Sequence, residues 1–344
     1  LSEELNLMSL IEAPGGTNGQ TKQQEGVSSG FVVGVDIGGT NLRLTLADQS
    51  GAIKSRWSTT TIGIRDPHEI VRLICHGIDT LFADAALSRD RLSGVGVGAP
   101  GITNSDEGIV IATSYLMGWQ DVPLRALLED ALSVPAFIDN DVNMAAFGEF
   151  SAGSARGGRD FVFLAIGTGV GAGIVIDGQV VRGEGWLAGE IGYMLVAGAS
   201  VEPVEEESPG ALEEIVGGEG VRKRWQSIWS VGSTTLGREA TATQIFDEAA
   251  KGDSLAMSVM ELSARTLAYA IYNLSLVLNC PRFVMGGSVG LHPALMRATE
   301  AVVKRLNPRV QPDLVPSILG SEAQIIGAVY RAIEVASTRS IKAQ

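Results

Sequence analysis

Sulfur and imidazole are scarce in this 344-residue chain. Its two cysteines, Cys75 and Cys280, and three histidines, His68, His76 and His292, supply neither a disulfide framework nor a Cys/His zinc cluster. Positive charge is short as well. With 26 Lys and Arg against 39 Asp and Glu, the formal net charge of −13 argues against a nucleic-acid surface, which needs a clustered positive field to release counterions. The one basic cluster, VRKRW (Val221 to Trp225), reads as the solvated end of a helix. Long apolar runs are missing too. The greasiest, TLAYAIYNLSLVL (Thr266 to Leu278), is interrupted by polar residues, is too short to span a bilayer, and reads as a buried helix. LSEELNLMSL at the start lacks the basic flank and apolar core of a signal peptide, so the expected compartment is a reducing cytoplasm, with no membrane partner.

What is there is apolar and rich in glycine: 45% hydrophobic residues and 43 glycines, on a length suited to two α/β domains. Residues 1–30 end in a Gly/Ser/Gln/Thr stretch that buries too little to offset its ordering entropy, and read as a flexible leader. Order should begin at Phe31, with FVVGVDI, LRLTLAD and AIKSRWSTTTI as strands. A helix should follow, with Asp66 as N-cap and Pro67 in its first turn. GVGVGAPG reads as a buried strand running into a loop and the segment after it as irregular; VPLRALLEDAL reads as a helix, VPAFID as a strand, and VNMAAFGEF as a helix entered directly from DND. FVFLAIGTGVGAGIVIDGQ (Phe161 to Gln179) then repeats the opening: apolar strand, glycine turn, apolar strand, tight DG turn. Two such hairpins suggest two related sheets across a cleft, each offering a glycine turn to one ligand, although both also fit ordinary glycine hairpins. Long helices through Asn279 precede a third strand and glycine turn, RFVMGGSVG, a helix from about His292, and a final helix, AQIIGAVYRAIEVA.

The first turn is not a Walker loop, because Gly-Lys-Ser/Thr is absent and a strand follows it. Nor is it a dinucleotide fingerprint, which needs a third glycine and a helix N-terminus. It remains a hairpin whose Gly38 and Gly39 let backbone N–H groups approach an anion, with Thr40 and Asn41 adding donors. Gly167, Thr168 and Gly169 could clasp the same phosphate chain from the other side. Asp36 suits Mg²⁺, held directly or through water, or else caps the turn. In DND, Asn140 could hold adjacent hydroxyls, and Asp141 at a helix N-terminus could stay ionised and accept a proton; both also fit as helix caps. Glu190 and Glu213 offer paired acceptors for sugar hydroxyls, though each alone also fits a surface position.

Together these motifs resemble the ROK family of sugar kinases and repressors, within the actin-like, sugar kinase and Hsp70 ATPase superfamily. VDIGGTN, GVGAPG, GW with VPL downstream, DNDVNMAAFGE, AIGTGVGAGIV, GEIG and VMGGSVG occur in the family's order between about Phe31 and Val335. The resemblance implies an α/β fold of two actin-like (ribonuclease H-like) domains around a central cleft. Residues 31–141 with 323–344 would form the smaller domain and 142–322 the larger. It implies ATP phosphates at Gly38 to Thr40 and Gly167 to Gly169, with Gly286 and Gly287 beside the adenosine. It also implies a hexose at Gly101, Asn140, Asp141, Glu190, Tyr193 and Glu213, with Asp141 as general base and glucose the simplest acceptor. A homodimer is the implied assembly.

Three departures from the family stand out, two of them, at Tyr193 and Tyr115, on the sugar side. Tyr193 stands where the family commonly has a His that binds zinc and often touches the sugar. The loop after it has no cysteine, and Ala211 replaces one more, so no zinc is expected. Tyr115 stands where the family often shows Asn. The alternatives are a kinase for fructose, N-acetylglucosamine, N-acetylmannosamine or allose, and a non-catalytic sugar sensor. Thirty residues ahead of the first strand are too few for a repressor's helix-turn-helix.

Overall fold

The computed structural model describes residues 30–113, 116, 118–197, 208–307 and 309–342, of 339–342 the backbone only. The leader as far as residue 29, Tyr115 and most of the acidic loop (198–207) lie outside the described residues.

The first half runs β1 (Phe31–Ile37), β2 (Asn41–Asp48), β3 (Ile53–Thr60), α1 (Pro67–Asp84), β4 (Leu92–Ala99), β5 (Ile102–Asn104), β6 (Ile109–Ala112), β7 (Gln120–Val122), α2 (Leu124–Leu132), β8 (Ala136–Asn140) and α3 (Asp141–Ala152). Asp66 does cap α1, accepting from the His68 N–H at 2.9 Å, and Pro67 opens it. The sheet order is β3-β2-β1-β4-β8, with β1, β4 and β8 parallel. Every residue of β1 is buried, as expected of a strand covered on both faces. Val33, Val35 and Ile37 join the core under α1, while Val32 packs with Val329 and Ala332 on the other face. Strand alternation puts Asp36 on that second face. The segment read as irregular holds β5, β6 and β7, a separate three-stranded sheet. Strands of three or four residues are too short for an alternation pattern to register.

The second half repeats the plan: β9 (Phe161–Ile166), β10 (Val170–Ile176), β11 (Gln179–Val181), α4 (Glu213–Val216), α5 (Gly218–Ile228), α6 (Ala242–Ala250), α7 (Ser254–Leu278), β12 (Arg282–Gly286), α8 (Gly287–Gly290), α9 (Pro293–Val303), β13 (Asp313–Pro316) and α10 (Ala323–Lys342). Its sheet order, β11-β10-β9-β12-β13, reproduces that of the first sheet position by position. Positive φ at Asp177 and Gly178 turns β10 tightly into β11. β13, a half-exposed edge strand, and α8 were not expected from the sequence. The apolar run from Thr266 does form the second half of α7, but it is not buried all round. Leu267 and Ile271 reach the core, whereas Leu276 and Val277 are 55% and 80% exposed.

The two sheets are joined through two helices. α10 lies on β1 and β4, floored by glycine: a Cβ on Gly96 would come within 2.0 Å of the Ala328 carbonyl. α3 lies on β9 and β10, where Ala145 and Ala146 meet Phe161 and Phe163. The helices cross at Gly148 and Gly327, and a Cβ on Gly327 would sit 1.8 Å from the Met144 carbonyl. Only glycine permits this approach. Among the described residues no helix is long and apolar enough to cross a membrane.

Candidate active site

Strand register brings the site together. Asp36 of β1 pairs with Gly98 of β4, which pairs with Asp139 of β8, so Asp36 and Asn140 emerge at the same carboxyl edge of the first sheet. That edge is where open α/β sheets place ligands. In the second sheet Gly286 of β12 pairs with Ala165 of β9, next to the Gly167 turn.

The first glycine turn is closed by the Gly38 N–H donating to the Asn41 carbonyl at 2.8 Å, leaving Thr40 and Asn41 exposed. Asp36, on the α10 face of β1, is nearly buried. Its Oδ2 accepts from Arg43 Nε at 2.7 Å and its Oδ1 accepts from the Gln324 side chain. Burial pushes its carboxyl up, against the pull of the Arg43 guanidinium. Arg43 and Gln324 had no motif to announce them: Arg43 stands directly across the β1–β2 hairpin from Asp36, whereas Gln324 meets it only because α10 returns to the first sheet. A hard cation such as Mg²⁺ fits this donor set through water. Arg43 takes up Oδ2 with two nitrogens, and Oδ1, partnered by Gln324 alone, keeps a lone pair that can accept from a metal-bound water.

Asn140 caps α3: its Oδ1 accepts from the Val142 and Asn143 N–H groups at 2.8 and 3.2 Å. Its amide nitrogen donates to the Gly101 carbonyl at 2.8 Å, leaving one amide hydrogen for a ligand. Capping and ligand contact are therefore compatible. Asp141 is different from expectation. Burial and then the Asp36 charge, with Glu190 adding, push its carboxyl up to about 7 and outweigh the Val142 N–H that favours the anion. The helix N-terminus alone does not keep it fully ionised at neutral pH. A carboxyl near 7 is matched to accepting a proton there.

A cavity of about 1530 Å³ is lined by Gly101, Asn140, Asp141, the Gly167–Gly169 turn, Glu190, Tyr193 and Glu213. A second, of about 170 Å³, is lined by Gly287, Ser321 and Gln324. Asp141, Val142 and Ala165 line both, so Asp141 stands at the junction. Asp36, Gly38, Gly39, Thr40, Asn41 and Gly286 line neither. Gly287 holds φ +78 against the Ile166 carbonyl, so packing within the second sheet already requires it to be glycine. Glu190 is open to the cavity yet ringed by protein, and burial with the neighbouring Glu213 raises its carboxyl. Glu213 Oε2 accepts from the Val170 N–H at 2.8 Å. Tyr193 is 57% exposed on the same wall, and its hydroxyl is pushed up by partial burial and by both glutamates. Trp119, Gln120 and Asp121 also line the cavity, the last two from β7, a strand absent from the sequence reading. Lys223 and Arg224 of the basic cluster, both exposed, also line the cavity, and the cluster lies within α5 and not at its end as read from sequence.

Residues 32–335 match the ROK family. The glucokinase of Halalkalibacterium halodurans is 30% identical over 88% of this chain and 94% of that protein. The N-acetylmannosamine kinase of Escherichia coli is 30% identical over 87% and 97%. Among solved structures, the ROK hexokinase of Thermus thermophilus superposes with a TM-score of 0.73 at 25% identity, covering 91% of this chain and all of that one. Its two actin-like domains correspond to the two matching sheets described above. On the family match, the relatives and the shared architecture, the chain belongs to the ROK family.

Proposed function

We propose that this chain, a sugar kinase of the ROK type, transfers the γ-phosphoryl group of ATP to the 6-hydroxyl of a hexose, glucose before others. The observation that carries the reading is Asp141, set at the junction of two cavities with its carboxyl raised to about 7. The sugar oxygen attacks phosphorus, its proton passes to the Asp141 carboxylate, and the bond to the bridging oxygen of ADP breaks. Backbone N–H groups of the turns at Gly38 to Thr40 and Gly167 to Gly169 hold the phosphates, and Gly286 and Gly287 lie beside the adenosine. Asn140, Glu190 and Glu213 bind the hexose hydroxyls, with Gly101 holding the Asn140 amide. Asp36 would hold Mg²⁺ through water, and the bound ion would supply charge neutralisation on the phosphates. Glucose leads because a glucokinase is among the relatives at 30% identity; N-acetylmannosamine follows on the same ground. Tyr193 favours keeping both, since a phenol on the sugar wall reshapes the pocket.

Following ADP release over a panel of glucose, fructose, N-acetylglucosamine, N-acetylmannosamine and allose tests this. One hexose should dominate, and Asp141→Ala should lower kcat by about 10²–10⁴-fold, the range for a general base. No stimulation by any sugar, or a native rate in the Ala variant, defeats the reading. The chain is further proposed to hold no structural zinc, because Tyr193 and Ala211 take the places of zinc ligands. Elemental analysis of the purified protein should find none at stoichiometric level.

A further inference from the structure

An ion pair that the reaction above does not use lies next to the Asn140–Asp141 pair. Asp139 is the penultimate residue of β8, and its side chain is 2% exposed. Its Oδ2 accepts from two nitrogens of Arg182, Nε at 2.9 Å and a terminal nitrogen at 2.5 Å. Its Oδ1 accepts from the Asn140 N–H at 2.8 Å and the Asn143 side-chain amide at 3.1 Å. One carboxylate therefore holds Arg182 on one oxygen and the start of α3 on the other. Neither Asp139 nor Arg182 lines the large cavity.

Arg182 comes from the other half of the molecule, directly after β11. Its remaining terminal nitrogen donates to the Val180 carbonyl at 3.1 Å, and its own carbonyl accepts from the Ala188 N–H at 3.1 Å. The segment it opens then brings Leu187 and Glu190 to the cavity wall. That segment is tied to β10 at its far end, where the Gly189 carbonyl accepts from the Ala172 N–H at 2.8 Å. The guanidinium is thus the fixed point shared by the first half's Asn140–Asp141 and the second half's Glu190.

We propose that Arg182 is a positioning residue for the acceptor sugar: fastened by two nitrogens to Asp139, it sets the spacing between the Asn140–Asp141 end of the first sheet and the Glu190 segment of the second. The proposal rests on the hexose reading of that pocket. The donor side should be indifferent to it. The first glycine turn is braced by Thr60 and Thr61, the second by Glu213 and the start of α5, and none of these contacts passes through Arg182. The competing explanation is an ion pair that only stabilises the fold. Removing one partner would leave a buried charge uncompensated and unfold the chain for trivial reasons. The informative variant therefore neutralises both partners, Asp139→Asn with Arg182→Met, which keeps the Oδ1 acceptor for Asn140 and leaves no charge unpaired.

Glucose and Mg-ADP affinities of the full-length protein, measured by calorimetry, decide between the two. In the double variant glucose Kd should rise by about tenfold or more, the scale expected for misplacement of a pocket wall by a fraction of an ångström to an ångström. Mg-ADP Kd should move less than about twofold by the same argument. Amide exchange at Asn140 to Asn143 should quicken as the capped turn loosens. Unchanged glucose affinity in the folded variant overturns the proposal, as does an equal loss of both ligands. Arg182→Lys is the second variant: it keeps the charge and loses the two-nitrogen contact, so weakened glucose binding supports the proposal and native binding overturns it. Both affinities are read without turnover, so a chain that phosphorylates no hexose defeats the kinase reading separately.

Discussion

Two glycine turns occupy corresponding places in the two sheets, and they are held by different means. The turn at Gly38 is braced from within its own sheet. At the end of β3, Thr61 donates its hydroxyl to the Gly38 carbonyl at 2.8 Å and its N–H to the Thr40 carbonyl at 3.0 Å, and Thr60 donates to that same carbonyl at 3.1 Å. The turn at Gly167 is braced from outside. The Gly218 N–H at the start of α5 donates to the Gly167 carbonyl at 2.8 Å, and Glu213 of α4 accepts from the Val170 N–H. The first brace is neutral and includes no residue that lines the large cavity; the second includes a carboxylate that also lines the proposed sugar wall. One turn is an independent part. The other shares a side chain with the proposed acceptor pocket, which offers a direct physical link between filling that pocket and holding the proposed donor phosphates.

Breaking the shared brace should have the largest effect. Glu213→Ala removes the acceptor of the Val170 N–H and a carboxylate of the sugar wall together. Hydrogen bonds to charged groups contribute about 1.5–3 kcal/mol each, so losing one on each side should lower kcat/KM by about 10²–10⁴-fold, with KM rising for hexose and ATP alike. Steady-state kinetics with each substrate varied in turn checks this. A rise confined to the hexose KM would mean that the second turn does not depend on Glu213.

The acid at the junction offers a finer comparison, because each half contributes one carboxylate that raises Asp141. Asp36 in the first half acts more strongly than Glu190 in the second. Removing either negative charge makes the Asp141 anion easier to form, so Asp36→Asn should lower its titration point more than Glu190→Gln does. Carboxyl-carbon NMR on the free protein reads this directly. In the native chain the profile of kcat/KM for hexose should climb as pH rises through about 7 and then level, since the base must be ionised. Stability runs the other way. The folded-state carboxyl is raised, so its contribution is complete below the ordinary value of 3.8 and is lost as pH rises through about 7. Equal shifts from the two variants would remove the asymmetry between the halves.

How far these features could be read from sequence depends on the range of the interaction behind each. The strands of both hairpins, the cap at Asp66 and the start of α3 at Asp141 follow from local alternation, turn chemistry and capping, and the structure has them. β5 to β7 and β13 are three or four residues long and leave no such pattern. At the site, the residue types of Asn140, Asp141, Glu190 and Glu213 were legible, and one cavity gathers them. The distant partners of Asp36 and Asp139 were not. Gln324 lies 288 residues from Asp36, and Arg182 lies 43 from Asp139, separations that carry no periodic signal. The titration of Asp141 was misjudged for the same reason. The helix terminus that favours its anion is local, while the burial and the two carboxylates that oppose it come from assembled structure.

The smallest effect should come from the unshared brace, and it isolates the contrast most cleanly. Thr61 is 1% exposed, and Val fills nearly the same volume without the hydroxyl. Thr61→Val therefore removes the 2.8 Å bond to the Gly38 carbonyl while the N–H bond to Thr40 stays, so the turn should loosen without opening. A neutral hydrogen bond contributes about 0.5–1.5 kcal/mol net, so KM for ATP should rise by about two- to tenfold and stability should fall by about 1 kcal/mol. The hexose KM should not move, because neither Thr61 nor Gly38 touches the large cavity. Paired kinetic and thermal-unfolding measurements on this variant and on Glu213→Ala make the test complete. If Thr61→Val raises both KM values in proportion, the first turn is coupled to the acceptor pocket after all, and the division between an independent turn and a shared one fails.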